Sequence, residues 1–195
     1  PDTFSLSYSA VDEAIGEQLL RLPEVAEVSS MVQGLVQTPE NPFFFIFGYA
    51  PASFLLERFQ IIAGQGLAIN PGQAGRGRQL LLGAAAAEAL GKAPGDTLRI
   101  GQSLYRIVGV YRTGDAFEDR GAVIDLKDAQ AQFDRPHKVS IFYVRLKDPE
   151  QSERFAQRAA RLWPDLALSS TDTYASKISM VNVLQAYVTG IAGLA

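Results

Sequence analysis

One segment, residues 80–114, combines an apolar run, an alanine-rich stretch and two β-branched runs punctuated by glycine. The apolar run Leu80–Leu82 leads into Ala84–Leu90, which predicts a short helix because alanine and leucine favour helical backbone. Gly91 follows directly, as glycine commonly does where a helix ends. The first half of this segment therefore predicts a strand that feeds a short helix.

The second half of the segment predicts a β-hairpin. Gly95-Asp96 opens a strand at Thr97–Ile100, and Gly101-Gln102 turns the chain back into a second strand, Tyr105–Tyr111. Two residues beginning with glycine between such runs suit a tight turn with a positive φ at its first position. The segment holds no nucleophile beside a base and no set of metal ligands, so it predicts a rigid module without chemistry.

The order of these elements resembles the extracytoplasmic core domain of MacB-like, FtsX-type ABC transporter permeases. In that family a strand ending in Leu-Gly precedes an alanine-rich helix, a Gly-Asp strand and a hairpin arm ending in Val-Gly-Val. The matching pieces are Leu82-Gly83, Ala84–Leu90, Gly95-Asp96 and Val108-Gly109-Val110. Gly121–Gln130 is similar to the strand and small helix that follow in the family.

The resemblance implies a fold, a location and partners. The fold would be α+β, with two small βαβ porter-like lobes, an inserted β-rich subdomain and the start of a transmembrane helix. The domain would be non-catalytic, need no cofactor or metal, and lie on the periplasmic side of the bacterial inner membrane. Its partners would be a cytoplasmic ABC ATPase, a second permease in a dimer, and a periplasmic adaptor or lipoprotein.

Within this family the resemblance implies coupling of cytoplasmic ATP hydrolysis to export or extraction of a substrate. MacB-like efflux is favoured, because the inserted β module is well developed. An FtsX-type regulator of cell-wall hydrolases and an extracytoplasmic ligand-binding or sensor module are the alternatives.

Two helix–proline–strand units near the ends of the chain are similar to each other. Arg21–Ser30 reads RLPEVAEVSS, and Arg161–Ser170 reads RLWPDLALSS. Chance similarity is the alternative to a repeat, because helix ends recruit the same residue types. As a repeat, the units divide the chain into a first α/β lobe at 1–78, an inserted subdomain at 79–147, and a second lobe at 148–175.

Capping residues predict where the helices of these units begin. Ser9 and Asp12 form a capping-box pattern ahead of an apolar helical stripe, and an extended strand follows at Val25–Val36. Asp148 supplies an N-cap to the second helix. The strand after that helix is predicted at Leu166–Thr171.

The end of the chain is apolar. Residues 178–195 carry no charged side chain and keep apolar residues at helical spacing. We interpret residues 176–195 as a helix leading toward the membrane, since Gly190 and Gly193 suit entry into a membrane-embedded bundle. An amphipathic core helix is the alternative, because eighteen residues are near the lower limit for spanning a bilayer. With Pro1 as its first residue, the chain is expected to be a piece of a membrane protein.

Charge and cysteine content exclude several classes of protein. A net charge of −3 without a long basic run argues against a nucleic-acid partner. The chain has no cysteine, which excludes disulfides and thiolate metal sites. Hydrophobic content of 47% with 20% charged residues is that of an ordinary globular protein.

No group of side chains predicts a catalytic, cofactor-binding or metal site. Asp115, Glu118 and Asp119 lack the spacing of a calcium loop and favour a solvated hairpin tip. His137, the only histidine, has no serine elbow or zinc-ligand companions and favours a surface or strand-edge position. Gly72–Gly77 lacks the ending of a phosphate-binding loop and favours a mobile surface loop.

Aromatic and basic residues form two further patterns. Phe43–Tyr49 predicts a strand buried on both faces, with the wall of a ligand pocket as the alternative. Arg154, Arg158 and Arg161 recur at helical spacing and favour a solvated, ion-paired face. Trp163, the only tryptophan, is predicted to anchor the end of that helix against a sheet.

Overall fold

A mixed eight-stranded sheet dominates the first of the two compact units into which the chain divides. The units span Pro1–Lys147 and Asp148–Ala195. The computed structural model describes residues 10–39, 41, 43–68 and 77–168. The sheet belongs wholly to the first unit.

Ten strands lie in the described part of the chain, and two of them are long. They are β1 (Val11–Asp12), β2 (Val25–Val36), β3 (Phe44–Tyr49), β4 (Gln60–Gly64), β5 (Gln79–Gly83), β6 (Thr97–Ile100), β7 (Ser103–Arg112), β8 (Ala122–Asp125), β9 (Lys138–Val139) and β10 (Ile141–Leu146). The long strands β2 and β7 have 12 and 10 residues. Strand β7 is long enough to pair with β4 and β6 at different positions along its length.

Four α-helices and three short 3₁₀ helices complete the described elements. The α-helices are α1 (Ala14–Leu20), α2 (Ala84–Leu90), α3 (Leu126–Gln132) and α4 (Ser152–Leu162), and the 3₁₀ helices are Phe54–Arg58, Glu118–Arg120 and Pro149–Gln151. Helix α2 ends at Gly91, whose φ of +61° is left-handed. Glycine adopts that conformation without steric cost, which is why the helix stops there.

The sheet interleaves strands that are far apart in the sequence. Its order is β10-β2-β3-β8-β5-β7-β4, and β6 pairs with β7 beside this path. Strands β3 and β8 are parallel, with Ile46 opposite Ala122 and Phe47 opposite Val123. A separate short pair joins β1 to β9. The sheet is therefore held together by pairing between distant parts of the chain.

Each face of the sheet buries its own apolar cluster, because strand side chains alternate between faces. Helices α2 and α3 pack on one face, where Ile46, Leu80, Ile107 and Ile124 are fully buried. Burying one such side chain stabilises the fold by about 1.5–3 kcal/mol. Irregular segments and a 3₁₀ helix cover the other face.

Helix α3 approaches β3 closely at a glycine. A Cβ atom on Gly48 would lie 2.3 Å from the Cβ of Ala129 and 3.5 Å from the Cα of Leu126. Ala129 is fully buried. The small residues on both elements thus set the distance between the helix and the sheet.

Several sequence predictions are confirmed. Strand β2 covers the predicted Val25–Val36, and the hairpin turns at Gly101, whose φ is +55°. The predicted aromatic strand Phe43–Tyr49 is β3, which begins one residue later at Phe44 and has five of its six residues buried, whereas Phe43 is exposed. Asp148 accepts a hydrogen bond from the Glu150 N–H at 3.0 Å ahead of the second helix.

The predicted start of the first helix is wrong. Asp12 lies in β1, where it pairs with Lys138 of β9. Its carboxylate accepts a hydrogen bond from the Ala14 N–H at 3.0 Å, and α1 begins at Ala14. Ser9 lies outside the described residues. Pairing with a distant strand has overridden the local capping pattern.

The last predicted elements are only partly within the described residues. Residues 166–168 form no strand, and the rest of the predicted strand Leu166–Thr171 lies outside the described part. The predicted membrane-directed helix at 176–195 also lies outside it. Over the residues that the structure covers, no helix is long and apolar enough to cross a bilayer.

The predicted α+β class is confirmed by this combination of sheet and helices. Strand β8 lies between β3 and β5, so segments from both sides of residue 78 pair within one sheet. The division into lobes at 1–78, 79–147 and 148–175 stays a prediction.

Candidate functional site

The face of the sheet opposite α2 and α3 is lined by aromatic side chains, and we call it the aromatic face. Its buried members are Met31, Phe47, Tyr49, Phe59, Leu81, Tyr111 and Val123. Phe59 stacks on Tyr111 with ring centroids 4.8 Å apart, and Phe117 packs edge-on against Phe45 at 4.3 Å. Such aromatic pairs add about 0.5–1.5 kcal/mol to the burial of their area.

An ion pair lies next to the aromatic face. The Arg58 guanidinium donates two hydrogen bonds to the Glu118 carboxylate, one of them at 2.7 Å. The guanidinium carbon also lies 4.9 Å from the centre of the Phe59 ring. Burial is the largest single influence and lowers the pKa of Arg58, but the hydrogen bond to Glu118 and the nearby charges together outweigh it, so that pKa is raised. The pair joins the 3₁₀ helices Phe54–Arg58 and Glu118–Arg120 in the two-point geometry that favours arginine.

Buried hydroxyl groups near the aromatic face are hydrogen-bonded. The Tyr111 hydroxyl donates to the Glu118 carbonyl oxygen at 2.7 Å, and the Ser29 and Ser53 hydroxyls contact each other. Burial raises the pKa of Tyr111 and of Tyr49 well above the ordinary value. Both tyrosines therefore stay protonated at neutral pH, so neither acts as a base, and they stabilise the packing of the segments around them.

Stability is expected to fall in alkali because of these tyrosines. Their folded-state pKa is raised above the unfolded value of about 10. Their contribution to the free energy of unfolding is therefore complete below pH 10 and is lost as the pH rises. Above pH 10, each such tyrosine should lower the free energy of unfolding by about 1.4 kcal/mol per pH unit. Tyr49→Phe should remove the part of this slope that Tyr49 contributes. Urea unfolding at pH 8 and at half-unit steps from 10 to 11.5 measures the two slopes. Equal slopes would contradict protonation of Tyr49 in the folded state.

Two of the three loop carboxylates, Asp115 and Asp119, hold the shape of the β7–β8 connection, which is not the predicted hairpin tip because β5 lies between β7 and β8. Asp115 accepts from the Phe117 N–H at 2.8 Å and the Glu118 N–H at 3.0 Å. Asp119 accepts from the Thr113 N–H at 2.8 Å. No group of three or more metal-ligating side chains occurs in the described ranges. The Arg58 partner of Glu118 is a feature that spacing along the sequence did not reveal.

His137 lies at the surface next to a strand. Its side chain is 89% exposed, and its Nδ1 is 3.8 Å from the Glu13 carboxylate. Its carbonyl accepts a hydrogen bond from the Glu13 N–H at 2.9 Å. The residue directly precedes β9. These contacts attach the segment after β1 to the loop before β9.

The remaining predicted residues lie in separate parts of the chain. Arg154, Arg158 and Arg161 are on α4, where Arg161 Nε donates to the Gln157 carbonyl at 3.3 Å. Trp163 directly follows α4, and its predicted packing against a sheet stays a prediction. Of the predicted loop Gly72–Gly77, only Gly77 lies within the described residues.

A surface groove of about 480 Å³ lies where β4 and β6 meet β7. It is lined by Gly64, Gln65, Pro94, Gly95, Arg106, Ile107 and Val108. None of the β3 residues lines it, and their burial confirms β3 as a core strand rather than a wall of this groove. Sequence reasoning missed the groove because it depends on the long-range pairing of β4 with β7.

Comparison with known families and structures gives a consistent result. The family model described as the MacB-like periplasmic core domain matches residues 1–162. No curated protein sequence matches the chain.

Two solved structures share the fold at low sequence identity. The periplasmic region of MacB from Actinobacillus actinomycetemcomitans has a TM-score of 0.66 at 14% identity, covering 91% of this chain and 89% of that one. The extracellular domain of the noncanonic ABC-type transporter YknZ from Gram-positive bacteria has a TM-score of 0.62 at 17% identity, covering 80% and 83%.

Proposed function

The chain belongs to the MacB-like periplasmic core domain family, and from this premise we propose that it couples cytoplasmic ATP hydrolysis to substrate export. It is a periplasmic domain of an ABC transporter permease, which is a protein of the inner membrane with an extracytoplasmic part. The finer proposal is MacB-like efflux by a permease dimer together with a cytoplasmic ABC ATPase. A periplasmic adaptor or lipoprotein completes the proposed assembly.

The observation that carries this proposal is the interleaved sheet. Strand β8 pairs with β3 on one side and β5 on the other, so early and late parts of the first unit share one hydrogen-bonded layer. Close-packed interiors of this kind deform little. A displacement applied at one edge of the sheet would therefore move the whole unit, as transmission of motion from a membrane domain requires.

The short pair β1–β9 supports the same proposal. It joins residues near the start of the chain to the segment leading into β10, and an ion pair links Asp12 to Lys138 at 3.1 Å. The backbone hydrogen bond from Ala14, together with Lys138, lowers the pKa of Asp12, so this carboxylate is charged at neutral pH. Motion entering through β1 would thus pass to β9 and from there along the chain to β10, the edge strand of the main sheet.

The chemistry of the aromatic face favours a non-catalytic role. Its tyrosines are held protonated by burial, and its arginine is paired with Glu118. Asp115 and Asp119 accept backbone hydrogen bonds that fix their own loop. These groups serve packing, which agrees with a domain that transmits motion.

Deletion of the gene in its own bacterium tests the export proposal. We expect at least a four-fold fall in the inhibitory concentration of one or more compounds from a panel of antibiotics and amphipathic peptides. A plasmid copy should restore resistance, and the same copy with an inactive partner ATPase should not. Unchanged sensitivity throughout the panel would overturn efflux. Chained or filamentous cells with unchanged sensitivity would favour the FtsX-type regulator of cell-wall hydrolases.

A further inference from the structure

The β6–β7 hairpin presents a basic face to solvent, which we call the hairpin face. Thr97 lies opposite Arg106 and Arg99 lies opposite Leu104 in the antiparallel register. These four side chains are exposed, while the alternate residues Leu98, Ile100, Tyr105 and Ile107 are buried in the core. Because side chains alternate along a strand, the four exposed residues share one side of the hairpin.

The two arginines of the hairpin face differ from several others in the chain. Arg58, Arg78 and Arg145 pair with carboxylates at 4 Å or less. Arg99 and Arg106 have no carboxylate partner among the described residues. They are diagonal neighbours in the register, with backbones roughly 7–8 Å apart. The hairpin face therefore concentrates two uncompensated positive charges in a chain whose net charge is −3.

An exposed leucine and a groove lie next to these two arginines. Leu104 is 53% exposed beside Arg99. Arg106 also lines the groove formed with Gly64 and Gly95. Arginine beside apolar surface is typical of protein interfaces, where its planar group binds carboxylates in two-point geometry.

The hairpin also has an edge strand, β6. Within the part of the chain that the structure describes, β6 pairs with β7 alone. An extended segment can add to such an edge through main-chain hydrogen bonds and place alternate side chains on one face of the sheet. Added to β6, it would bring every second side chain to the hairpin face.

We propose that the hairpin face binds an extended, acidic segment of another protein, with carboxylates on Arg99 and Arg106 and an apolar side chain on Leu104. The basis is charge complementarity. No acidic segment of this kind lies among the residues outside the described ones, whose only acids are Asp2, Glu40 and Asp172. The proposal goes beyond the transport role and does not depend on it.

Fluorescence anisotropy with the 195-residue chain tests this proposal. The probe is a fluorescein-labelled ten-residue peptide of alternating glutamate and valine, and its counterpart alternates lysine and valine. We expect the glutamate peptide to bind at least ten-fold more tightly than the lysine peptide in about 50 mM salt. The double variant R99S/R106S should lose at least ten-fold in affinity, and Leu104→Ser at least three-fold.

A matched variant separates a specific site from net charge. Arg112 and Arg120 are also exposed, so R112S/R120S removes the same charge and should change affinity by less than two-fold. Circular dichroism should show that all variants remain folded. Equal losses in the two double variants, or equal binding of the two peptides, would overturn the proposal. So would a dimer of the chain, detected by sedimentation, that R99S/R106S dissociates, because a second copy would then be the occupant.

Discussion

Gly48→Val is expected to lower the free energy of unfolding by about 3 kcal/mol. A Cβ atom at this position would lie only 2.3 Å from the Cβ of Ala129, far inside van der Waals contact. Valine adds two further carbons, so α3 would have to move off β3 and lose buried contacts at both elements. Overpacking in a close-packed interior costs this much because neighbouring groups cannot yield. Urea unfolding followed by far-ultraviolet circular dichroism measures the change.

Gly66→Val is the matched control for this experiment. A Cβ atom on Gly66 would meet nothing within 4 Å, so the variant should stay within about 0.5 kcal/mol of the parent protein. A loss of less than about 1 kcal/mol for Gly48→Val would show that α3 shifts at little cost. Equal losses in the two variants would contradict the assignment of the effect to this contact.

Tyr111→Ala is expected to cost about 4 kcal/mol, because it empties the centre of the aromatic face. The side chain is fully buried, stacks on Phe59 and donates a hydrogen bond to the Glu118 carbonyl. Removing it would leave a cavity and an unpaired acceptor. Urea unfolding should show this loss as a lower midpoint with an unchanged dependence on denaturant.

Two further variants divide that cost into its causes. Tyr111→Phe keeps the ring and removes the hydroxyl, so it should cost only about 1 kcal/mol. Phe43→Ala removes an aromatic ring that is 67% exposed and should change stability by less than about 0.5 kcal/mol. A loss for Tyr111→Phe as large as for Tyr111→Ala would contradict packing as the main contribution.

The sequence predicted most of the elements whose conformation is determined by residues close together in the chain. The turn at Gly101 and the helix end at Gly91 follow from the freedom of glycine to adopt positive φ, and both glycines have it. Strand β2 follows from its valines, of which Val28, Val32 and Val36 fall on one face of an extended chain. In these places the residues that decide the conformation are neighbours in the sequence.

The predictions failed where residues far apart in the sequence determine the conformation. Asp12 carries a capping pattern, yet its pairing with Lys138 places it in a strand. The position of β8 between β3 and β5 depends on contacts that no window of the sequence contains. The ion pair of Arg58 with Glu118 joins residues sixty positions apart, and it exists only because the sheet brings their segments together. The hairpin face likewise needed the register of β6 and β7 to place its arginines on one side.

The parallel pairing of β3 with β8 has a consequence for synthesis of the chain. Phe44–Tyr49 is an uncharged aromatic segment, and its second neighbour, Ala122–Asp125, follows about seventy residues later. At typical translation rates of about 5–20 residues per second, this segment waits several seconds for that neighbour. Exposed, uncharged strands of this kind are prone to aggregate. One edge of β3 therefore stays unpaired in the growing chain until β8 has been made.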